Sequence, residues 1–170
     1  MGGIRLERFG EQHLDSLDPL LGDPETHRFT RIPVAPSPDY PRIWLQRYEE
    51  GRRAGTREAF AIVDSEDGAL LGLVLSPRID REARTAELGY VLAPAARGRG
   101  VATEALRQLT EWAFAEGMLR LELLIGVDND RSRRVAERCG YRFEGILRSA
   151  HLKADLRADT ELWSRLPTDP

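Results

Sequence analysis

The sequence predicts a mixed α/β fold, a twisted sheet of about seven strands flanked by about four helices. Three observations carry this reading. Short segments either alternate apolar and polar residues or run continuously apolar, the two signatures of strands. Two stretches, 101–116 and 129–139, instead repeat apolar residues at helical spacing, and each follows a strand. The chain has 170 residues, enough for one domain with its own core, and no repeat, linker or low-complexity stretch divides 1–170.

"IRLERF" (4–9) alternates Ile4 and Leu6 with charges and opens the sheet. "HLDSLDPLLGD" puts Leu14, Leu17 and Leu21 on one stripe of a short helix that closes near Gly22. Pro24, Pro33, Pro36 and Pro38 make 23–38 a long loop in this reading. From Asp39 to Glu50, Tyr40, Ile43, Trp44, Arg47 and Tyr48 recur at helical spacing, and core packing is the simpler role for the aromatic residues. "EAFAIVD" (58–64), a "SEDG" turn and "ALLGLVLSP" (69–77) read as a β-hairpin, and "RTAELGYVLAP" (84–94) adds a strand. A bend, "RGRG" (97–100), leads into a helix from Val101 to Glu116 whose Ala102, Ala105, Leu106, Leu109, Trp112 and Ala113 trace one apolar face. "LRLELLIGV" (119–127) has the pattern of a central strand covered on both faces. "NDRSRRVAERCG" begins with capping residues and stops at Gly140, and "YRFEGILR" (141–148) and "TELWSRL" (160–166) finish as strands.

Charge and composition narrow the function. Lys plus Arg is 25 against 28 Asp plus Glu, a net charge of −3, which argues against a globally basic nucleic-acid binder. Arg97, Arg99, Arg131, Arg133 and Arg134 could form a local basic patch, but acidic residues are interspersed and no aromatic platform accompanies them. No nucleic-acid partner is expected. The single cysteine, Cys139, cannot close an internal disulfide, which suits a reducing, cytoplasmic compartment. His13, His27 and His151 lie far apart and no Cys/His cluster suggests a metal. "MGGIRLERFG" lacks the apolar core of a signal peptide, and Leu6 stands where the myristoylation pattern needs Ser or Thr. The uncharged run "ALLGLVL" is far short of the roughly 20 residues that span a bilayer, so no membrane partner is expected.

The glycine-arginine bend has the makings of an anion site. First-turn amides of a helix lack intrahelical acceptors, and the macrodipole adds partial positive charge there. Gly98 and Gly100 let the backbone approach an oxygen closely, and Arg97 and Arg99 can add charge-assisted hydrogen bonds. The stretch is neither GxxxxGK[ST] nor GxGxxG, because Thr103 fills the third glycine position of the latter.

The ensemble "AELGYVLAPAARGRGVATEAL", an apolar strand, and "NDRSRRVAERCGYRFEGILR" resembles the GNAT family of acyl-CoA-dependent N-acyltransferases, in particular its RimJ/RimL-like branch. Arg97, Gly100 and Ala102 meet the family motif R/Q-x-x-G-x-G/A, and Asn129 and Ser132 meet the branch's N-x-x-S. The resemblance runs from Ile4 to Leu166 and is most specific over 84–148. It implies an acetyl-CoA cosubstrate, no metal, and a primary-amine acceptor that is either a small molecule or a protein N-terminus. It implies that the diphosphate sits on the amides of Arg97, Gly98, Arg99, Gly100, Val101 and Ala102. The pantetheine arm would then pair with Val91 and Leu92 where two parallel strands splay apart, with Asn129 and Ser132 on the other side. Dimers are common in the family, which makes a homodimer an assembly to test.

For catalysis, the backbone N–H of Leu92 would polarise the thioester carbonyl. Glu87 is the first candidate base, on the strand flanking the splay, with Glu82 and Glu144 behind it. Where many relatives carry a proton-donating tyrosine in the second turn of the later helix, this chain has Ala136, and Tyr141 stands at the wrong point. Ser132 is the remaining hydroxyl for the donor or thiol-holding role. Cys139 beside Val135 reads as buried and inert, and His151 as a loop residue with a lesser claim on the cleft. A free α-amine, with a pKa near 8, is about a tenth neutral at pH 7, so it demands less of a base than lysine does. Two other readings stay open: a catalytically idle acyl-CoA binding domain, and a transferase for a longer donor such as succinyl-CoA.

Overall fold

A computed structural model describes residues 3–153 and 155–170; the Met1-Gly2 start weighed for myristoylation, and Ala154, lie outside them. Among the described residues seven strands form one sheet: β1 (Ile4–Arg8), β2 (Glu58–Asp64), β3 (Leu70–Asp80), β4 (Thr85–Leu92), β5 (Arg120–Gly126), β6 (Arg142–Lys153) and β7 (Leu156–Arg165). Their spatial order is β1-β2-β3-β4-β5-β7-β6, so β7 inserts between β5 and its own hairpin partner. The mixed character comes from β4 and β5, which pair parallel while every other neighbouring pair is antiparallel.

Among the described residues five α-helices cover the sheet: α1 (Asp18–Leu21), α2 (Pro24–Phe29), α3 (Tyr40–Ala54), α4 (Val101–Ala115) and α5 (Asp130–Arg138). Alternation along the strands divides the core in two. Ala86, Leu88 and Leu92 of β4 join Leu121, Leu123 and Ile125 of β5 beneath Ala105, Leu106 and Leu109 of α4. On the opposite face, Val91 and Leu73 pack with Trp44, Leu45 and Tyr48 of α3 and with Leu17 and Leu20. The aromatic residues of α3 are therefore core, as their spacing suggests.

The expected loop over 23–38 is partly helical. Pro24 occupies the first turn of α2, where a missing N–H costs nothing, and the Asp23 carboxylate accepts from the Thr26 amide at 2.7 Å. Proline count alone hid a capped helix start. Coverage of β5 also differs from expectation, since Leu121, Leu123 and Ile125 are buried while Glu122 and Leu124 are half-buried. Its second face opens into a chamber rather than meeting another layer. The last hairpin is longer than its apolar pattern, because β6 continues to Lys153 and β7 begins at Leu156.

Two irregularities split the sheet. Ser76 and Pro77 form a bulge in β3 opposite Leu88, where the register slips between Leu75 and Arg78, and the Ser76 hydroxyl donates to the Glu87 carbonyl at 2.9 Å. The parallel β4–β5 pairing runs only from Thr85–Arg120 to Leu88–Leu123 and stops there. Beyond Leu88 the two strands diverge. Gly72 holds β3 tight against the far end of β4, since a Cβ there would lie 2.2 Å from the Val91 carbonyl oxygen.

Candidate active site

The split opens onto two chambers on opposite faces of β4. The first has a volume of about 500 Å³ and is walled by the end of β4, the 97–103 bend and α5. At its base, α4 starts without a side-chain cap. The Glu104 N–H reaches the Gly100 carbonyl at 3.1 Å, which leaves the Val101, Ala102 and Thr103 amides without intrahelical acceptors. Gly98 and Gly100 sit at φ of 73° and 79°, and a Cβ at either would meet no atom within 4 Å. The bend is thus left-handed backbone facing open space, a cradle for an anion.

The arginines of the bend divide their roles differently from expectation. The Arg97 guanidinium is committed to the Asp23 carboxylate, the Thr26 hydroxyl and the Leu92 carbonyl. Arg97 therefore ties α2 to the cradle, and only its main chain is free for a ligand. Arg99 points away from this chamber, with its guanidinium 3.8 Å from Asp64 of β2. Arg131, Arg134 and Arg138 line the chamber from α5, with Arg131 Nη1 donating to the Glu25 carboxylate of α2 at 3.1 Å. Sequence reasoning put Arg131 and Arg134 in a surface patch and passed over Arg138. Their spacing of three and four residues, one helical face, was the signal available.

Val91 and Leu92 both line this chamber, but their main chains face opposite ways. The Ala93 N–H donates to the Leu71 carbonyl on β3, so by alternation Val91 also turns its polar groups to β3. Leu92 and Tyr90 turn theirs toward the split. The Val91 main chain is therefore turned away from the split, where the sequence expected it to pair, whereas the Tyr90 and Leu92 main chains face it. The Leu92 carbonyl is already used by Arg97.

Asn129 caps α5, its Oδ1 accepting from the Ser132 amide at 3.2 Å, and both residues line the chamber. The Tyr90 hydroxyl donates to Ser132 Oγ at 3.0 Å across the split. Burial pushes the Tyr90 phenol up to about 12, so it stays a donor at any working pH. With one lone pair engaged in this way, Ser132 keeps its own proton free to donate. Tyr90 is the second group that sequence reasoning missed; it stands in the quoted "ELGYVL", but only the tertiary fold brings it to Ser132.

The second chamber, also about 510 Å³, contains Glu87 with Glu122, Arg31, Arg57, Arg78 and an apolar wall of Leu124, Leu147 and Leu162. Burial raises the Glu87 carboxyl above its ordinary value, opposed by the Arg31 and Arg78 charges and reinforced by Glu122. Its ion-pair contact is with Arg78 Nε at 3.9 Å. The other candidate bases fall away. Arg120 clamps Glu144 with contacts of 2.6 and 2.9 Å and, with Ser164, holds it down at about 2. Glu82 lies exposed in the turn between β3 and β4, outside both chambers. Cys139 is buried, its thiol donating to the Thr103 carbonyl at 3.4 Å, and Tyr141 is core, its hydroxyl 2.8 Å from that of Thr110. His151 belongs to β6 rather than to a loop and lines neither chamber.

Among the described residues no group of three or more His, Cys, Asp or Glu side chains could hold a metal, and no helix is long and apolar enough to cross a membrane.

Comparison with known proteins matches residues 4–142 to the family model described as the acetyltransferase (GNAT) domain. The ribosomal-protein-serine acetyltransferase of Escherichia coli (strain K12) is 33% identical over 113 residues, 66% of this chain and 62% of that protein. YdaF of Bacillus subtilis (strain 168) is 36% identical over 101 residues, 59% of this chain and 55% of that protein. The chain thus spans between about half and two thirds of the length of these curated relatives. Among solved structures, the microcin C7 self-immunity acetyltransferase MccE, in complex with acetyl-CoA and AMP, superposes with a TM-score of 0.87 at 22% identity, covering 96% of this chain and 92% of that one.

Proposed function

Because the chain belongs to the GNAT acetyltransferase family, we propose that it moves an acetyl group from acetyl-CoA to a primary amine. One observation carries the reading: an anion cradle and an ionisable carboxylate lie on opposite faces of one strand, at the point where that strand parts from its parallel neighbour. The first chamber fits coenzyme A. Its α4 amides and open glycine backbone suit a diphosphate, the Leu92 edge suits an amide-bearing arm, and Arg131, Arg134 and Arg138 suit further phosphate.

Acetyl-CoA supplies the activated acyl group; the chain's residues supply position and protons. In the transfer the amine N–C bond forms and the C–S bond breaks. Glu87 takes the proton that the amine must lose, directly or through one water. The Leu92 N–H stabilises the charge on the carbonyl oxygen, a role typically worth roughly 10² in rate. Ser132, oriented by Tyr90, gives the departing sulfur its proton and recovers one from solvent. A half-buried Glu87, its carboxyl raised by burial and placed across the strand from the anion cradle, supports this over an idle binding domain.

The ribosomal-protein serine named for the Escherichia coli relative, and the N-terminal serine of L7/L12 named for the Salmonella typhimurium acetyl transferase of like fold, make a protein N-terminal amine one candidate. The test is thiol release from acetyl-CoA over a panel of amines and N-terminal peptides. Amine-dependent release is expected; acetyl-CoA binding with no release for any amine would favour the idle binder.

A further inference from the structure

The second chamber contains more cation than its carboxylates consume. Glu122 is held from outside by Arg120 at 2.8 Å and from the rim by Arg78 at 3.4 Å. Glu87 has only the long contact to Arg78. Arg31 and Arg57 have no carboxylate within 4.0 Å among the described residues, yet both line the chamber.

Arg57 is built into place. Gly51 lies in the last turn of α3. A Cβ at Gly51 would fall 2.4 Å from the Arg57 Cβ, so the glycine makes room for Arg57 to lie against the helix. The Gly51 carbonyl accepts from the Arg57 amide at 3.2 Å, and Arg57 Nε donates to the Pro77 carbonyl at 3.1 Å, at the β3 bulge. These contacts fix the guanidinium while its terminal nitrogens make no hydrogen bond among the described residues. Arg31 is held at its base: Lys153 Nζ donates to the carbonyl of the preceding Thr30 at 2.9 Å. His151 is close enough to feel the Arg31 charge, and its buried Nε2 has no partner among the described residues. Burial first, then the Arg31 and Lys153 charges, favour the neutral form of His151, so the cations at this rim are Arg31 and Lys153.

We propose that the acceptor is a small primary amine bearing a carboxylate or phosphoryl group a few bonds from its nitrogen, with Arg31 and Arg57 as the anion subsite. The amine then faces Glu87 and any apolar portion lies against Leu124, Leu147 and Leu162. Guanidinium forks suit both anions, and this inference rests on the acetyl-transfer reading above.

Matched acceptor pairs test it in the thiol-release assay: leucine against leucinamide, and O-phosphoethanolamine against ethanolamine, with spermidine and a seryl-initiated peptide as further arms. At least one anionic member is expected to exceed its neutral partner by about tenfold or more in kcat/KM. The Arg31→Gln/Arg57→Gln double variant should raise KM for that member by a similar factor. It should leave the KM for acetyl-CoA and the neutral partner's rate unchanged, with a Tm within a few degrees of the parent's. Preference for spermidine, for the peptide or for the neutral members overturns the anion subsite while leaving acetyl transfer standing. So does a double variant that slows both members of a pair alike. Thiol release with no amine at all overturns both readings.

Discussion

Gly100 is the residue on which the cradle depends most directly. Its left-handed φ of 79° strains any side chain by roughly 1 kcal/mol, and the space its Cβ would enter is the space an anion needs. Gly100→Asp adds a negative charge there as well, so coenzyme A binding by calorimetry should vanish while the circular dichroism spectrum stays native. Glu87 predicts a pH profile. Its carboxyl is raised by burial, so the acid limb of kcat/KM should lie above the ordinary glutamate value of 4.5. Glu87→Gln should lose on the order of 10²-fold in turnover between that limb and the amine's own pKa near 8. The deficit should shrink at higher pH, where the amine is neutral without help. Tyr90→Phe leaves Ser132 free to rotate, so kcat should fall several-fold with the KM for acetyl-CoA unchanged. An unaltered kcat would reduce Tyr90 to packing.

Among the elements, α2 is the one whose stability is tied to the cradle. Asp23 caps it and also accepts from Arg97, and the guanidinium, with help from the Thr26 amide, holds the Asp23 carboxyl down at about 2 from 3.8. A carboxyl whose folded value is depressed stabilises the fold above its unfolded value. That contribution, roughly 2 kcal/mol, disappears as pH falls from about 4 to about 2. Asp23→Asn keeps an oxygen for the cap but loses the charge. Denaturant titration should show it destabilised at pH 7 by roughly that amount, and indistinguishable from the parent near pH 2. The β3 bulge has a comparable role for the split. Ser76 and Pro77 end regular pairing opposite Leu88, the same residue at which β4 leaves β5.

For the whole molecule, ligand linkage gives the broadest test. Coenzyme A at about a hundred times its Kd should add roughly 2.7 kcal/mol, which in a domain of this size raises Tm by about 5–10 °C. No shift at saturating concentration would contradict the cradle. The same scale explains what could be read in advance. Strands, helices and the glycine bend were legible because alternation, helical spacing and punctuation are local properties of the chain. Glu87 became a candidate through the family resemblance, which places a glutamate base on the strand before the bend. Arg97 misled because its ion-pair partner, Asp23, is 74 residues away. Tyr90 and Ser132, 42 residues apart, went unpaired for the same reason.

By itself the sequence determined the order of the strands, the glycine bend ahead of α4 and the family, all of which follow from short-range spacing. Only the tertiary structure decided which arginines face the cleft, that Tyr90 orients Ser132, and that the second chamber has cation to spare. Those properties depend on which side chains from distant segments end up facing one another, and spacing along a chain does not encode distance across a sheet.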